Sequence, residues 1–472
     1  MEQEAEFVSG PTQFSIEATG IRAIRVERLF GQYSYELKTH TEPGFAPRIM
    51  LLYGENGAGK TTILKILFYL LSHRDSAGHK SQLREFRFKK FLVELADGTE
   101  ILASRNDDHE RGYEVLVSRA GTEIARATYF RELMAGANEQ ISDREKFVLS
   151  ERDNEQHRNY LKLLRSLKLN IIYLTDRREL LTTISDAADP EYRLILQDQR
   201  RRSAYLATRD VSKEERSAGL SAAVERITGW ATKQAFQGST QGEEDVNAVY
   251  ADILRRISHA PRFTELASID AEAIVNKLRR LQARSAEFAV LGLVKPLKAE
   301  PIIDTLKEAY PEAQQTMLGV LEPYVTGIEA KLDALESVKT QLSGFVRIMN
   351  SFYRHKEVQL DVNRGLIISS SNHDRLAPSM LSSGEGQLLF ILASTILAKE
   401  TASLFIIDEP EISLNVKWQR QLLRALLDLT TGSRIQFIMA THSIELITRY
   451  DDFVLDLDDI GGQRWLNDPS EK

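Results

Sequence analysis

The octapeptide GENGAGKT at residues 54–61 constrains this chain more than any other stretch. It fits the pattern G-x-x-x-x-G-K-[ST], it follows an apolar run at 49–53, and residues 62–71 after it have helical apolar spacing. Strand, Gly-rich loop and helix in this order form a phosphate-binding loop, because backbone N–H groups and a helix N-terminus face the anion. Lys60 would reach the β- and γ-phosphates, and the Thr61 hydroxyl would ligate Mg²⁺. The alternative is a Gly-rich turn that binds nothing.

Three more motifs follow far along the chain. Residues 381–385 (LSSGE) open a predicted helix, although this stretch alone is also typical of an ordinary Ser N-cap. The apolar run 404–407 predicts a short strand that ends in the carboxylates Asp408 and Glu409. Residues 435–443 predict another strand, which ends in Thr-His-Ser. Carboxylates at the end of an apolar strand are costly without a metal, so we favour a metal site over a buried ion pair or a helix cap.

Together and in this order, the motifs resemble those of the ABC-type ATPase family, in its SMC/OLD-like class. They correspond to the Walker A motif, the signature (LSSGE for the usual LSGGQ), the Walker B strand with its catalytic Glu, and the His switch. The resemblance covers residues 14–130 and 355–457. It implies an α/β fold, in which a mixed sheet carries the phosphate-binding loop beside an antiparallel β-subdomain. It also implies hydrolysis of ATP to ADP and phosphate with Mg²⁺.

The resemblance gives each motif residue a role. Thr61 and Asp408 would hold Mg²⁺. Glu409 would polarise the attacking water, and His442 would contact the γ-phosphate, so both are candidate catalytic residues. The candidate nucleotide-binding residues are Gly54, Asn56, Gly57, Ala58, Gly59, Lys60, Thr61, Thr62, Ser382 and Gly384.

Ser382 and Gly384 belong to the signature, whose helix in the resembling family points at the nucleotide of the opposite subunit. One chain has one Walker A motif and one signature, so the resemblance implies two copies paired head to tail. The wider group usually has His where this chain has Asn415, which leaves the D-loop contact open. Gln82 lies where the Q-loop Gln could fall, without being identified as that residue.

Two aromatic residues near the N-terminal hairpin, Phe30 and Tyr33, are candidates to stack on the adenine. Plain core residues are the alternative. Residues 86–127 alternate in period two around three turns, which predicts an antiparallel meander.

Composition excludes several classes of protein. The chain has no cysteine, which excludes disulfides, Cys-based zinc sites and a cysteine nucleophile. A net charge of −7 argues against a uniformly basic nucleic-acid binder but leaves a local basic groove open. No stretch approaches 18 consecutive apolar residues, and the acidic N-terminus is unlike a signal peptide. We therefore predict a cytoplasmic protein without a membrane partner.

The length of 472 residues allows two to three domains. We predict a flexible tail at 1–13 and an ATPase N-lobe at 14–130 with Walker A and the β-subdomain. A mainly helical insertion at 131–353 would contain one core strand near 169–175. The ATPase C-lobe at 354–472 would carry the signature, Walker B and the His switch.

The insertion contains one amphipathic pattern and several basic residues. Apolar residues across 328–352 repeat at three- and four-residue steps, which predicts a short coiled-coil-like helix packed on a partner helix. Arg177 and Arg178 follow the core strand and would lie near the nucleotide or the dimer seam, or form surface salt bridges. The basic groups at 200–202 and 277–284 are interspersed with acidic residues, which favours solvated helix faces over a DNA or protein contact.

The short tail after His442 separates this chain from one group of relatives. The OLD-family nucleases share the ATPase layout and carry a Toprim nuclease domain at this point. Such a domain needs on the order of 100 residues, whereas 30 residues follow His442. We therefore expect no intrinsic nuclease.

The layout resembles instead the ATPase subunits of bacterial anti-phage systems, AriA of PARIS first and PtuA of Septu next. This resemblance implies an ATP-dependent sensor and scaffold, a homo-oligomer built from head-to-tail dimers. It would control a separate effector nuclease, of Toprim type like AriB or of HNH type, in response to a phage-encoded trigger. A RecF-like DNA-repair ATPase that clamps duplex DNA is the alternative, so direct DNA binding stays open. A third interpretation is a scaffold that binds ATP for assembly and barely hydrolyses it.

Overall fold

The computed structural model describes the chain in ten stretches. They are residues 15–17, 20–38, 45–74, 78–105, 112–129, 151–183, 220–238, 270–372, 374–399 and 401–457. The predicted tail at 1–13 and the basic run at 200–202 lie outside these stretches. Contacts group the chain into two compact units, Met1–Val211 with Ala398–Lys472, and Ser212–Leu397. The domain limits predicted from the motifs stay predictions.

The elements follow in chain order. The strands are β1 (Ser15–Glu17), β2 (Ile21–Leu29), β3 (Tyr33–Lys38), β4 (Phe45–Pro47), β5 (Ile49–Tyr53), β6 (Lys90–Leu95), β7 (Thr99–Ser104), β8 (Tyr113–Arg119), β9 (Thr122–Tyr129), β10 (Ile171–Leu174), β11 (Leu180–Thr182), β12 (Lys356–Asp361), β13 (Gly365–Ser370), β14 (Arg375–Leu376), β15 (Leu404–Asp408), β16 (Gln436–Thr441) and β17 (Val454–Asp456). The helices are α1 (Lys60–Leu71), α2 (His79–Gln82), α3 (Glu151–Ser166), α4 (Ala271–Val290), α5 (Glu300–Glu308), α6 (Pro311–Phe352), α7 (Ser383–Ala398), α8 (Val416–Leu429) and α9 (Ile444–Ile447). Residues 220–238 are also helical.

The central sheet of the first unit is mostly parallel. Its spatial order is β11-β10-β15-β16-β5-β17, and every neighbouring pair is parallel except β10 with β11. Strands covered on both faces need continuous apolar runs, which β5, β15 and β16 have. Because these three strands run the same way, the phosphate-binding loop, Asp408 and His442 all follow the same edge of the sheet.

A second sheet in this unit is the predicted antiparallel β-subdomain. Its strand order is β3-β2-β6-β7-β8-β9. Gln436 of β16 joins it to the central sheet, because its amide accepts from Ile21 N at 2.7 Å and donates to the carbonyls of Ile21 and Pro47, each at 2.7 Å. The α/β fold class with this subdomain is confirmed.

Helix α1 begins at Lys60 and is largely buried. Its last turn receives a buried cation, because Lys80 Nζ donates to the carbonyls of Tyr69 at 2.9 Å and Leu70 at 2.5 Å. A cation at a helix C-terminus complements the helix dipole and satisfies carbonyls that have no partner within the helix. Lys80 therefore fixes the helix that follows the phosphate-binding loop.

The second unit contains the amphipathic helix that was predicted as a short helix over 328–352. This helix, α6, begins at Pro311 rather than near residue 328 and continues through Pro323 to Phe352. It packs against α4 through buried aliphatic residues. Two basic residues of α4 form ion pairs with acidic residues of α6, Lys277 with Glu329 at 2.6 Å and Arg284 with Asp333 and Glu336, each at 2.6 Å. This pairing favours the solvated helix face predicted for the basic group at 277–284.

Candidate functional site

Two glycines shape the loop before α1. Gly57 has φ 93° and Gly59 has φ 91°, both in the left-handed region where side chains are strained. At Gly59 an added Cβ would also lie 2.6 Å from Leu29 Cδ2. The loop therefore needs Gly at this position for its conformation and for its close approach to the β2–β3 turn.

The loop is held from both sides by hydrogen bonds. Lys60 is buried, and its Nζ donates to the carbonyls of Gly54 at 2.6 Å and Glu55 at 3.0 Å. Tyr35 of β3 donates its hydroxyl to the carbonyl of Ala58 at 2.8 Å. Lys60 thus lies inside the loop, where phosphate oxygens could replace these two carbonyls as its partners.

Asp408 meets the start of α1 at the edge of the sheet. The Thr61 hydroxyl donates to Asp408 Oδ1 at 3.1 Å, and the Tyr173 hydroxyl donates to Oδ2 at 3.2 Å. Asp408 is only 2% exposed. Burial raises the pKa of Asp408 to about 6, helped by the charges of Asp176 and Glu409 and opposed by the two hydroxyl bonds.

This oxygen pair fits a hard divalent cation. The Thr61 hydroxyl and the Asp408 carboxylate are ligand types that Mg²⁺ prefers, and Mg²⁺ usually takes one or two protein ligands besides phosphate and water. A buried carboxylate whose pKa is raised gains a compensating charge when a cation binds. The predicted pair Thr61 and Asp408 is brought together by the fold.

Glu409, Glu411 and His442 form a cluster beside Asp408. Their ligand-type atoms all lie within 4.8 Å of one another. The His442 ring nitrogen Nδ1 is hydrogen-bonded to Glu409 Oε2 and lies 3.2 Å from Glu411 Oε1. Burial raises the pKa of Glu409, and the charge of Glu411 acts in the same direction, while His442 opposes it. A carboxylate with a raised pKa is suited to accept a proton from water.

Glu409 also has a left-handed backbone, with φ 51°, and its N–H donates to the carbonyl of Ala440 at 2.9 Å. Such a conformation in a non-Gly residue is costly and is often found at functional sites. It turns the chain out of β15 directly after Asp408. The two consecutive carboxylates consequently face different partners.

The signature residues lie in the second unit. Ser382 and Glu385 form a capping box, because Ser382 N donates to Glu385 Oε2 at 2.7 Å and Glu385 N donates to Ser382 Oγ at 3.3 Å. Lys356 Nζ lies 2.6 Å from the same Glu385 oxygen. Gly384 is buried. Ser382 thus has the N-cap role that the sequence left open, while its exposed hydroxyl keeps a proton that it can donate.

Asn415 lies in the segment that follows Glu411, and Arg178 contacts this segment. Asn415 Oδ1 accepts from Trp418 N at 3.0 Å and caps helix α8. Arg178 Nη2 donates to Ser413 Oγ at 3.2 Å. Asn is among the best N-cap residues, so its presence at 415 has a local structural reason.

The open candidates around the nucleotide differ in exposure. Phe30 is 40% exposed, and its ring reaches to 3.3 Å from the position that a Gly59 Cβ would occupy. Tyr33 stacks on Tyr35 with ring centroids 6.0 Å apart. Gln82 is exposed at the end of α2. Phe30 therefore lies against the phosphate-binding loop, while Tyr33 packs on its neighbour.

Residues 49–448 match a protein family described as "AAA domain, putative AbiEii toxin, Type IV TA system". The chain belongs to this family. The matched region begins with strand β5 and ends after His442, so it contains every motif of the site. For this AAA-family chain, membership implies nucleotide binding, usually with Mg²⁺, and supports ATPase activity.

Solved structures similar to this AAA-family chain include Smc heads. One is the Smc head domain with an extended coiled coil bound to the C-terminal domain of ScpA from Pyrococcus furiosus, with 10% identity, a TM-score of 0.35 and 91% of each chain covered. Another is the SmcHead bound to the C-winged helix domain of ScpA, with 9% identity, a TM-score of 0.34 and 91% of each chain covered. A search of curated proteins finds no match. Among the described residues, no helix has the length and apolarity to cross a membrane.

No motif or spacing marks two residues of the site, Tyr173 and Glu411. Tyr173 comes from β10, a strand of the predicted insertion, and contacts Asp408 across 235 positions of sequence. Glu411 lies two residues after Glu409, but only the fold shows that it is buried against the turn at His442.

Proposed function

We propose that this chain binds ATP with Mg²⁺ and hydrolyses it to ADP and phosphate. The observation that carries the proposal is the convergence of the phosphate-binding loop, the Asp408–Glu409 pair and His442 at one edge of the parallel sheet. Each of these groups alone could have a purely structural role. Together they supply what phosphoryl transfer to water needs: cationic neutralisation, a metal-ligating carboxylate and a base.

Lys60 and the loop N–H groups would bind the phosphates. Lys60 would exchange its bonds to the Gly54 and Glu55 carbonyls for bonds to phosphate oxygens. Thr61 and Asp408 would hold Mg²⁺, which neutralises the charge that develops on the phosphates. Tyr173 keeps the Asp408 carboxylate in one orientation by its bond to Oδ2.

Glu409 would accept a proton from the attacking water. Its carboxylate is half-buried and hydrogen-bonded to His442, so this bond must loosen before Glu409 can engage a water. The exposed His442 ring would then contact the γ-phosphate through its other nitrogen, Nε2. Ser382 and Gly384 would contact the nucleotide bound by a second copy of the chain. A head-to-tail dimer is then the active form and the unit of a larger homo-oligomer.

The proposed cellular role is an anti-phage sensor and scaffold in the cytoplasm that controls a separate effector nuclease, of Toprim or HNH type, after a phage-encoded trigger. The family description supports a defence context, because it names a toxin and a toxin–antitoxin system. The same description favours a second candidate, a chain that is toxic by itself. A RecF-like DNA clamp is the remaining alternative, and the ion pairs of Lys277 and Arg284 with acidic residues of α6 partly neutralise the basic group of α4.

Phosphate release from purified chain, ATP and Mg²⁺ tests the catalytic proposal. Glu409→Gln should keep ATP binding, because the phosphate and metal ligands remain, and should lose turnover by a factor of at least about 100. Glu308→Gln, which removes an exposed carboxylate from α5, is the matched control and should hydrolyse ATP like the wild type. Wild-type turnover in Glu409→Gln would overturn the assignment of the base.

A further inference from the structure

We propose that Glu411 is a positioning residue for hydrolysis, which holds the turn after β16 and keeps the Nδ1 atom of His442 on a fixed carboxylate. The inference rests on the proposed ATPase function and adds a residue to its machinery. It concerns how His442 is presented, since Glu411 itself contacts neither the phosphate-binding loop nor Asp408 in the hydrogen bonds of the described residues.

Burial is the first observation. Glu411 is 4% exposed, although it lies in the turn between β15 and α8. An ionised carboxylate at such a position is costly unless hydrogen bonds or opposite charges compensate it. A surface turn does not require a Glu with its head group buried, so the contacts of this head group should explain its place.

Those contacts all lead to the turn that carries His442. Glu411 Oε1 accepts from the Thr441 hydroxyl at 2.6 Å and from the His442 backbone N–H at 2.8 Å. Glu411 therefore binds the chain where β16 ends, at Thr441 and His442. These hydrogen bonds fix the backbone from which the imidazole extends.

The imidazole is the third partner. His442 Nδ1 lies 3.2 Å from Glu411 Oε1 and is also hydrogen-bonded to Glu409. The ring thus has two carboxylates at one nitrogen, one buried and fixed and one half-buried. When Glu409 turns to a water molecule, Glu411 remains as the acceptor for Nδ1–H, so that Nε2 stays directed away from both carboxylates. This is how a second carboxylate orients a functional imidazole.

The other oxygen of Glu411 strengthens the argument. Oε2 is buried and accepts no hydrogen bond from any residue that the structure describes. The contacts of Glu411 with this turn therefore all go to Oε1, which accepts from the Thr441 hydroxyl and the His442 N–H and also lies 3.2 Å from Nδ1. Replacing the charge by an amide should weaken the hold on the ring while keeping an acceptor for the backbone.

Glu411→Gln is the test variant, because it keeps size and one acceptor oxygen. We expect kcat to fall about tenfold, the lower end for groups that orient a functional imidazole. KM for ATP should stay within about twofold, because the nucleotide ligands are untouched. Glu445→Gln is the matched control, since this carboxylate pairs with Arg420 at 2.5 Å instead of His442, and it should keep wild-type kcat.

A double-mutant cycle separates positioning from a merely structural role. If Glu411 acts through His442, Glu411→Gln added to His442→Ala should slow hydrolysis no further. Effects that multiply, or wild-type kcat in Glu411→Gln, would overturn the inference. Should Glu411→Gln fold poorly, Glu411→Asp keeps the charge and is expected to recover most of kcat; failure of Glu411→Asp to exceed a folded Glu411→Ala would equally overturn it.

A readout without hydrolysis keeps this inference apart from the proposed function. Long-range ¹H–¹⁵N NMR spectra of histidine-labelled protein show the ring nitrogens, and the signal missing from His442→Ala identifies His442. The Nδ1 signal should have N–H donor character in the wild type and should shift in Glu411→Gln but not in Glu445→Gln. An unshifted signal would overturn the Glu411 inference alone, whereas a wild-type chain without ATPase activity would overturn the proposed function.

Discussion

The Tyr173 hydroxyl donates a hydrogen bond to Asp408 Oδ2 at 3.2 Å, across the parallel pair of β10 and β15. This contact joins a strand of the predicted insertion to the Walker B carboxylate. It leaves Oδ1 to face Thr61, at 3.1 Å. The orientation of the proposed Mg²⁺ ligand therefore depends on a residue outside every recognised motif.

Tyr173→Phe tests this dependence, because it removes one hydroxyl and no ring. We expect ATPase activity to need about tenfold more Mg²⁺ for half-maximal rate, since the ligand loses its orienting partner. The rate at saturating Mg²⁺ should stay near the wild-type value. Tyr69→Phe is the control, because it removes the hydroxyl of a different buried tyrosine, on α1, and it should leave the Mg²⁺ dependence unchanged. An equal change in both variants would contradict the prediction.

The buried Asp408 carboxylate should destabilise the folded chain at neutral pH. Burial raises its pKa from 3.8 to about 6, so the folded chain holds this proton more tightly than the unfolded chain does. Below about pH 4 the carboxyl is protonated in both states and does not lower the free energy of unfolding. As the pH rises towards 6 it lowers that free energy progressively, and above pH 6 it lowers it by the full amount. At about 1.4 kcal/mol per pKa unit, the full cost is up to roughly 3 kcal/mol.

Asp408→Asn removes this cost together with the metal ligand. In nucleotide-free protein above pH 6 we expect a higher unfolding temperature than in the wild type, and the difference should vanish near pH 4. Hydrolysis should be lost at every pH. Thermal unfolding followed across pH 4–8 checks the sign, and a destabilised variant at pH 7 would show that the buried carboxylate is not a liability in the folded chain.

Much of the site could be predicted from the sequence because each motif ends an apolar run. Parallel strands bring such ends together, so Thr61 and Asp408 meet although 347 positions separate them. Tyr173 and Glu411 could not be predicted, since their roles come from pairing and burial that no local pattern encodes. The start of α6 at Pro311 was also not predicted: apolar residues at 318, 321 and 325 continue the spacing upstream of 328, but Pro323, a residue type that usually breaks a helix, lies among them.

Head-to-tail pairing predicts opposite effects for two substitutions of Ser382. Both Asp and Asn can replace Ser as the N-cap of α7, so the helix should keep its capping box geometry. Ser382→Asp would put a negative charge against the phosphates of the second copy, and hydrolysis should be abolished while ATP binding remains. Ser382→Asn carries no charge and should keep a substantial part of the rate.

Mixing the variants checks whether sites are shared between chains. Ser382→Asp with Lys60→Ala should restore one working composite site in each mixed dimer, although each variant alone is inactive. Phosphate release against the mixing ratio should pass through a maximum. A flat, inactive profile, or full activity of Ser382→Asp as a monomer, would contradict head-to-tail pairing.

The last prediction is that the chain alone cuts no nucleic acid and is not toxic. Within the described residues, the one group of three His or acidic side chains placed to hold a metal is Glu409, Glu411 and His442, and the proposed ATPase reaction uses it. We propose that any destructive chemistry belongs to a second polypeptide. The purified chain, incubated with DNA, RNA and Mg²⁺, should leave both intact, and its expression in a bacterial host should not slow growth.

Co-expression with the neighbouring gene and infection by phage should bring toxicity, and Lys60→Ala should remove it because the nucleotide can no longer be held. Glu308→Gln should behave like the wild type in the same cells. The family description names a toxin, so the opposite outcome would be toxicity of the single chain. If the single chain stops growth and Lys60→Ala abolishes that effect, the ATPase is itself the toxic component, and control of a separate nuclease is the wrong account of its role.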